Sequence, residues 1–570
     1  MATTDDTVDV PSLEQLQTSL PVEARRAFRR GFYFKKVTSG LCRGYVQANI
    51  AGVQAQHADD FVEFCRANEG PLPLLHHSQP GDFSAGPLAE DSDIRTDVAA
   101  YNVLKYGEYV DIVPDLLPFG DVLDEYAVFY TGCSFSFDKI LLNAGIHLEY
   151  ADNPDITVSM YTTNIPCHRV GSVQGPMVVS MRPVPRHLVQ VAVRATNPLP
   201  DVHGAPIHIG CFDALGIKDV YKTQYGDPPS PLKEDQIPVF WACGNTIKEV
   251  LQHTKHPLSF TMYSDCMYLS DNPSDSESST VIIPDGEQPV VVDMVDDPYQ
   301  ASLVSEAVLQ KLKQLQNVLR DGNVSVGTHE DNGFMKPILT LSHSSHIVMA
   351  VVLPQKKDNG YETNGFMGTV AMANMLKAVG KEVTLVVDTE SYLVSTKIVK
   401  VLVQKGLLQE SINVVQFPDT SNSSSSARDI LTQSDGNTPR FDHLVMPIQT
   451  SDNDNSMCKQ LFSAAKDLNV FTFQGSQQCS SDVYSYAVSI ALYLLSTCPV
   501  HDRYRRRSVG FPPSERELQV FKAALPSIKT VASVVEILES HGFCCDTGTD
   551  SNRKNEDLRS AVERLCNVLL

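Results

Sequence analysis

Apolar and polar positions follow two different rhythms along this chain. In the first half the apolar runs are short and are closed by Gly or Pro. Met177-Val178-Val179-Ser180-Met181 follows the turn pair Gly175-Pro176 and reads as a buried strand, and Pro238–Gly244 (PVFWACG) reads as another. Tyr126–Phe137 (YAVFYTGCSFSF) begins as a buried segment, breaks at Gly132 and leads into a helix over Phe137–Ala144. Over Ala58–Asn68 the inward positions Phe61, Val62, Phe64 and Cys65 predict a helix that stops before Gly70-Pro71. The polar cluster Thr162-Thr163-Asn164 runs into Pro166, which excludes a continuing helix.

Beyond residue 300 the rhythm becomes regular. A helix over Leu303–Val318 precedes a strand at Ile347–Leu353, a helix at Gly368–Val379, a strand at Glu382–Val387 and a helix at Leu393–Gln404. Strands at Ile412–Gln416 and His443–Ile448 and helices at Met457–Leu468 and Tyr484–Ser496 continue the alternation. Such alternation predicts a parallel sheet covered on both faces. Ligands then bind beyond the carboxyl ends of strands, here at Glu362–Gly365 and after Ile448. The stretch Asp271–Glu287 is acidic, serine-rich and interrupted by Pro, so it reads as a surface linker. The fold class is α/β, with a mixed α/β first domain over 25–272 and a Rossmann-like parallel-sheet domain over 301–570. An acidic tail over 1–24 and a linker over 273–300 complete the expected organisation.

Composition narrows the function classes. A chain of 570 residues is too long for one core. Its 68 acidic and 46 basic residues give a net charge of -22, which argues against a general nucleic-acid or anionic-membrane binder. No run approaches the length that spans a bilayer. The 13 cysteines show no CxxC pair, which fits a reduced, intracellular compartment. The acidic N-terminus MATTDDTVDV has neither a secretory core nor transit-peptide character. The basic segment Arg25–Lys36 is either a targeting-helix remnant or the first helix of the domain with a solvated basic face.

Several residues are candidates for chemistry. The loop Thr38–Asn49 (TSGLCRGYVQAN) carries Thr38, Ser39, Gln47 and Asn49 as hydrogen-bonding groups, and Gly40 and Gly44 permit close backbone approach to a ligand. Arg182 leaves a buried strand into a loop fixed by Pro183; it either forks onto a carboxylate or forms a structural salt bridge. Cys133 stands at a helix start, where a thiol pKa falls, or is plain core. His203 and His208 are five apart across Gly204 and Pro206, which is not metal-pair spacing, so no metal is expected. Tyr225-Gly226-Asp227 is a turn carrying a carboxylate, and Trp241 and Cys243 lie on the second predicted strand.

TSGLCRGYVQAN, FYTGCSFSFDKILLNAGI, YTTNIPC, GPMVVSMRP, HGAPIHIG, YGD and PVFWACG, in this order, resemble the bacterial family named putative hydro-lyases over about residues 25–272. A local departure is Asp265-Cys266-Met267, where bacterial members usually read Gly-His-Met. The resemblance extends to D-glutamate cyclases, in which this domain is fused to a second. TPRFDHLV (Thr438–Val445) and the KEVTLVVD strand are similar to that second domain. There, Asn364 replaces an acidic residue, Pro447-Ile448-Gln449 replaces a glutamate, and Phe471–Asp482 lacks an acidic Gly-rich loop, so the second domain is expected to be degenerate. The resemblance implies conversion of D-glutamate to 5-oxo-D-proline and water, a small acidic amino acid as ligand, no cofactor and a mitochondrial location, with a cytosolic one open. Cyclisation needs a carboxylate clamp, a base and oxyanion donors. Arg182, then His203, His208 or Asp227, and Thr163 with Asn164 are the expected holders of those roles, with Cys133 a further catalytic candidate. A catalytically impaired relative that binds an acidic metabolite or a protein partner is the alternative.

Overall fold

The computed structural model describes residues 10–153, 156–274, 280–321, 334–353, 361–362, 365–418, 423–446, 456–474, 481–540, 543–544 and 560–569. The chain divides into two compact units. One comprises Met1–Val292, Asp296–Leu303 and Arg503–Phe511; the other comprises Asp293–Val295, Val304–Asp502 and Pro512–Leu570.

In the first unit the strands run β1 (Tyr45–Gln54), β2 (Leu74–His77), β3 (Tyr101–Lys105), β4 (Glu108–Val113) and β5 (Tyr126–Gly132). Then come β6 (Ser159–Pro166), β7 (Pro176–Pro185), β8 (His208–Gly210), β9 (Gln236–Ala242), β10 (Ser259–Met262) and β11 (Tyr268–Pro273), followed by β12 (Pro289–Asp296) and β13 (Tyr299–Ser305). One sheet has the order β2-β5-β1-β10-β3-β4, with β11 also on β1, and a second has the order β12-β13-β8-β9-β7-β6. β1 and β7 are central and buried along almost their whole length, which is why they read as apolar runs rather than alternations. Ile50, Phe129, Val178, Phe240 and Met262 from the two sheets share one core.

Four expectations change here. β7 does not end at Met181: Arg182 pairs with Val239 and Pro183 with Pro238. Neither proline has an N–H, so that pair occupies a place in the ladder that needs none. The expected linker over 273–300 contributes β12 and the start of β13 to the second sheet, and part of the expected tail is the helix Leu13–Thr18, which buries Leu16. The basic helix Pro21–Arg29 turns much of its charge inward. Arg25 is wholly buried and forks onto Asp271 at 2.9 and 3.0 Å, and Arg29 binds Asp97 and Asp91.

The second unit holds β14 (His346–Val351), β15 (Tyr361–Glu362), β16 (Glu382–Val387), β17 (Asn413–Gln416), β18 (His443–Met446), β19 (Phe471–Gln474) and β20 (Phe543–Cys544). Five of these form a parallel sheet in the order β17-β16-β14-β18-β19, and β15 pairs with β20. Val348 and Ala350 pack on the helices Ser423–Leu431 and Ser456–Asp467, while Ile347, Met349 and Val351 are buried on the opposite face. Both faces are therefore covered, as the alternation of strands and helices implies. Residues 303–305, expected in a helix, belong to β13, and the helix is Glu306–Asp321. Asn364, Pro447-Ile448-Gln449 and residues 475–480 of the shortened loop lie outside the described residues. Among the described residues no single helix is long and apolar enough to cross a membrane.

Candidate active site

The loop entering β1 turns at Gly40 (φ +76°) and Gly44 (φ +96°), left-handed conformations that L side chains resist. Beyond β5 the chain passes through a 3-10 turn, Ser134–Phe137, into the short helix Asp138–Asn143. A cavity of about 240 Å³ is lined by both segments. Ser39, Gly40, Arg43 and Gly44 come from the loop and Gln47 from β1; Ser136, Asp138 and Lys139 come from the turn and helix, with Tyr150 further on. Gln47 N–H donates to Ser136 Oγ at 3.0 Å, which ties the two walls together.

Asp138 is the centre of this wall. Its Oδ1 accepts from Arg182 Nη2 at 2.8 Å and from Tyr150 OH at 2.9 Å. Its Oδ2 accepts no hydrogen bond among the described residues, and 13% of the side chain remains exposed. Burial raises the Asp138 pKa, and the Arg182 charge opposes that rise without cancelling it. Arg182 is fully committed: Nε donates to Tyr150 OH at 2.9 Å, Nη1 to Ser180 Oγ at 3.0 Å, and the guanidinium lies 4.8 Å from the Phe137 ring centre and 5.4 Å from that of Trp241. Of the two readings open for Arg182, the geometry favours the structural salt bridge over a direct clamp.

A second polar group is wholly interior. Thr38 Oγ1 lies 2.9 Å from Gln47 Oε1 and 3.0 Å from the Asp265 carbonyl, and it accepts the Met267 N–H at 3.0 Å. Asp265 has φ +59°, a conformation that suits the glycine expected there in bacterial members. Among the described residues its Oδ1 has no hydrogen-bond partner, and neither has Asn49 Oδ1 or Asn245 Oδ1. Lys248, also buried, reaches Ser264 Oγ at 3.3 Å. Burial lowers the Lys248 pKa and raises that of Asp265, moving both towards their neutral forms against their mutual attraction. Asn49 Nδ2 donates to Gly132 O at 2.8 Å and occupies the space above Gly244, where a β-carbon would fall 1.8 Å from it.

The other expected residues stand apart from the cavity lining. His203 Nδ1 pairs with Gly70 O at 2.8 Å and His208 Nε2 with Cys211 O at 2.6 Å. Burial lowers their pKa values to about 4 and about 3, so both are neutral core histidines rather than bases. Cys133 is buried and its pKa rises well above the ordinary thiol value, which overrides any lowering at the turn; burial pushes Cys243 up to about 12. Asp227 Oδ2 accepts the Thr157 N–H at 2.8 Å, and Tyr225 OH donates to Glu249 Oε1 at 2.8 Å. Thr163 Oγ1 donates to Met177 O at 2.8 Å, Asn164 is exposed beside Gly216, and Trp241 Nε1 donates to Thr196 Oγ1 at 3.1 Å. Ser39 and Gln47 are thus the expected residues that line the cavity. Arg43, Asp138, Lys139 and Tyr150 were missed, although the first three lie inside the quoted motifs TSGLCRGYVQAN and FYTGCSFSFDKILLNAGI.

The D-glutamate cyclase profile matches residues 127–271, and the profile described as D-glutamate cyclase-like, C-terminal, matches residues 322–459. A protein named "Putative hydro-lyase" from Stutzerimonas stutzeri is 42% identical over 254 residues, 44% of this chain and 93% of that protein. Proteins of the same name from Bacillus licheniformis (41% over 254 residues, 44% of this chain and 94% of that protein) and Geobacillus kaustophilus (40% over 250 residues, 44% and 93%) are similar across the same share. The first unit is thus similar over its length to proteins that carry the hydro-lyase name. The chain belongs to the D-glutamate cyclase family.

Proposed function

We propose that this chain converts D-glutamate to 5-oxo-D-proline and water at the cavity of the first unit. The observation that carries this reading is Asp138, a buried carboxylate whose Oδ1 is fixed by Arg182 and Tyr150 and whose Oδ2 is left for a ligand at the cavity wall. Glutamate supplies its own nucleophile, so the protein's task is orientation and proton movement. Asp138 Oδ2 takes a proton from the substrate ammonium, and the freed amine attacks the side-chain carboxyl carbon. A C–N bond forms, a C–O bond breaks, and both protons lost by the nitrogen leave on the departing oxygen as water. The raised pKa of Asp138 makes it a stronger base for that transfer. The Ser39 and Ser136 hydroxyls at the cavity support the oxygen on which charge develops. Arg182 is a positioning residue acting through Asp138.

Full-length protein incubated with D- or L-glutamate, with 5-oxoproline resolved on a chiral column, tests this. Product from D-glutamate alone, lost in Asp138→Asn, is the expected result. No product from either enantiomer would leave the binding of an acidic metabolite or a partner as the function.

A further inference from the structure

The interior of the first unit holds a polar group that the cyclisation does not use. Asn49 Oδ1, Asn245 Oδ1 and Asp265 Oδ1 are buried oxygens without a hydrogen-bond partner among the described residues. Their residues belong to one closed ring of contacts. The Asn49 carboxamide lies against Gly244, where an added β-carbon would stand 2.9 Å from Asn49 Oδ1. Asn245 follows Gly244, and its side chain hydrogen-bonds the Asp265 carboxylate. The Asp265 carbonyl accepts the Thr38 N–H at 2.9 Å. Thr38 Oγ1 in turn lies 2.9 Å from Gln47 Oε1, two residues before Asn49 on the same face of β1. The amide orientations are fixed by what their nitrogens meet. Asn49 Nδ2 donates to the Gly132 carbonyl at 2.8 Å and Asn245 Nδ2 to Met160 Sδ at 2.9 Å. Both partners only accept, so each amide oxygen is the end left free.

Buried acceptors left unmet are costly, so three of them in one ring point to a donor. A proton on Asp265 serves only one of the two amide oxygens. Lys248 carries the charge that acts on Asp265, but its Nζ is turned to Ser264 Oγ at 3.3 Å and lies 5.4 Å from the Tyr225 ring centre. Among the described residues it forms no ion pair with Asp265. We propose that Asn49, Asn245 and Asp265 form a binding site for a small primary ammonium, with the ammonium ion as its simplest member. A primary ammonium brings three N–H donors to three oxygens and one positive charge to one carboxylate. The carboxylate is carried by a residue at φ +59°, an angle that suits glycine, so backbone strain is accepted to place it there. None of the three residues lines the cavity at Asp138, so the site is independent of the reaction proposed there.

Melting temperatures of the full-length protein in chloride salts of equal ionic strength test this. Ammonium and methylammonium should each raise the melting temperature by about 2–4 °C over potassium, levelling off as the site fills. Tetramethylammonium has the same charge and no N–H, and should give no such rise. Asp265→Gly removes the carboxylate at a backbone angle that glycine accepts, so the fold is kept and the ammonium-specific rise should be lost. Proton spectra with isotope-labelled ammonium give a second readout on the natural chain. They should show ammonium protons protected from exchange with water, displaced by methylammonium and not by tetramethylammonium. Equal rises with ammonium and potassium overturn the hydrogen-bonded site. A rise that survives in Asp265→Gly, or protected ammonium protons that persist in that variant, removes the three oxygens from it. No rise and no protected signal overturn the site altogether.

Discussion

Arg182 Nη2 meets Asp138 Oδ1 at 2.8 Å across 44 residues of sequence, and the arginine side chain is completely buried. The arginine expected to hold a substrate carboxylate instead holds a carboxylate of the protein. Removing one partner of a buried pair strands the other, at a cost of about 3–5 kcal/mol, so Arg182→Met should strongly lower the urea midpoint. Arg182→Lys keeps the charge but not the bonds to Tyr150 and Ser180, and a loss of about 1–3 kcal/mol is expected. In kinetics, Arg182→Lys should lower kcat more than it changes KM. A raised KM with an unaltered urea midpoint would return Arg182 to direct substrate contact.

His203 and His208 give a pH signature. Folding lowers their pKa values from 6.5 to about 4 and about 3, so the unfolded chain binds more protons. Stability present above pH 6.5 is therefore lost as pH falls towards those values, at about 1.4 kcal/mol per pH unit for each histidine. In proton NMR of the folded protein neither imidazole should titrate between about pH 5 and 8. A folded-state titration near the ordinary value would contradict their burial as neutral groups.

Cys133 and Cys243 should resist alkylation. Only the thiolate reacts, and burial suppresses it at both positions. Iodoacetamide at about pH 8, followed by peptide mass spectrometry, should leave both unmodified until denaturant is added. Rapid labelling of Cys133 in the folded chain would reinstate it as a nucleophile.

Asp482 in the second unit behaves oppositely to the histidines. Its carboxyl accepts the Gly368 N–H at 2.7 Å and the Gly365 N–H at 3.1 Å, and burial raises its pKa to about 6. A folded-state pKa above the unfolded value means that its stabilisation is fully present below about pH 4 and is lost as pH rises through about 6. The stability of the natural chain relative to Asp482→Asn should thus shrink across that window, by up to about 3 kcal/mol. Urea midpoints at several pH values decide it; a difference that grows with pH would refute the assignment.

The segment before β12 is exposed: Val281 is 51% and Ile282 91% accessible, whereas β7 is buried along almost its whole length. Limited proteolysis should cut first near Val281 and Ile282. Early cuts within β7 would contradict its burial.

Strands β7, β9 and β14 were legible because a strand buried on both faces must be apolar throughout, and that demand is local to the sequence. The loop glycines were legible for the same reason: Gly40 and Gly44 answer to their own backbone angles. The site residues obeyed no such local rule. Asp138 looks like an ordinary acid at a helix start, and only the arrival of Arg182 on β7 and of Tyr150 gives it a fixed Oδ1. Cys133 and the two histidines carried plausible chemistry in sequence, but burial reversed the sign of the thiol shift and silenced the imidazoles. Sequence determines which residue types are present and which backbone conformations they tolerate. Tertiary structure decided which charges meet and how much water each one keeps, because Coulomb attraction and desolvation depend on distances that close only when the chain folds.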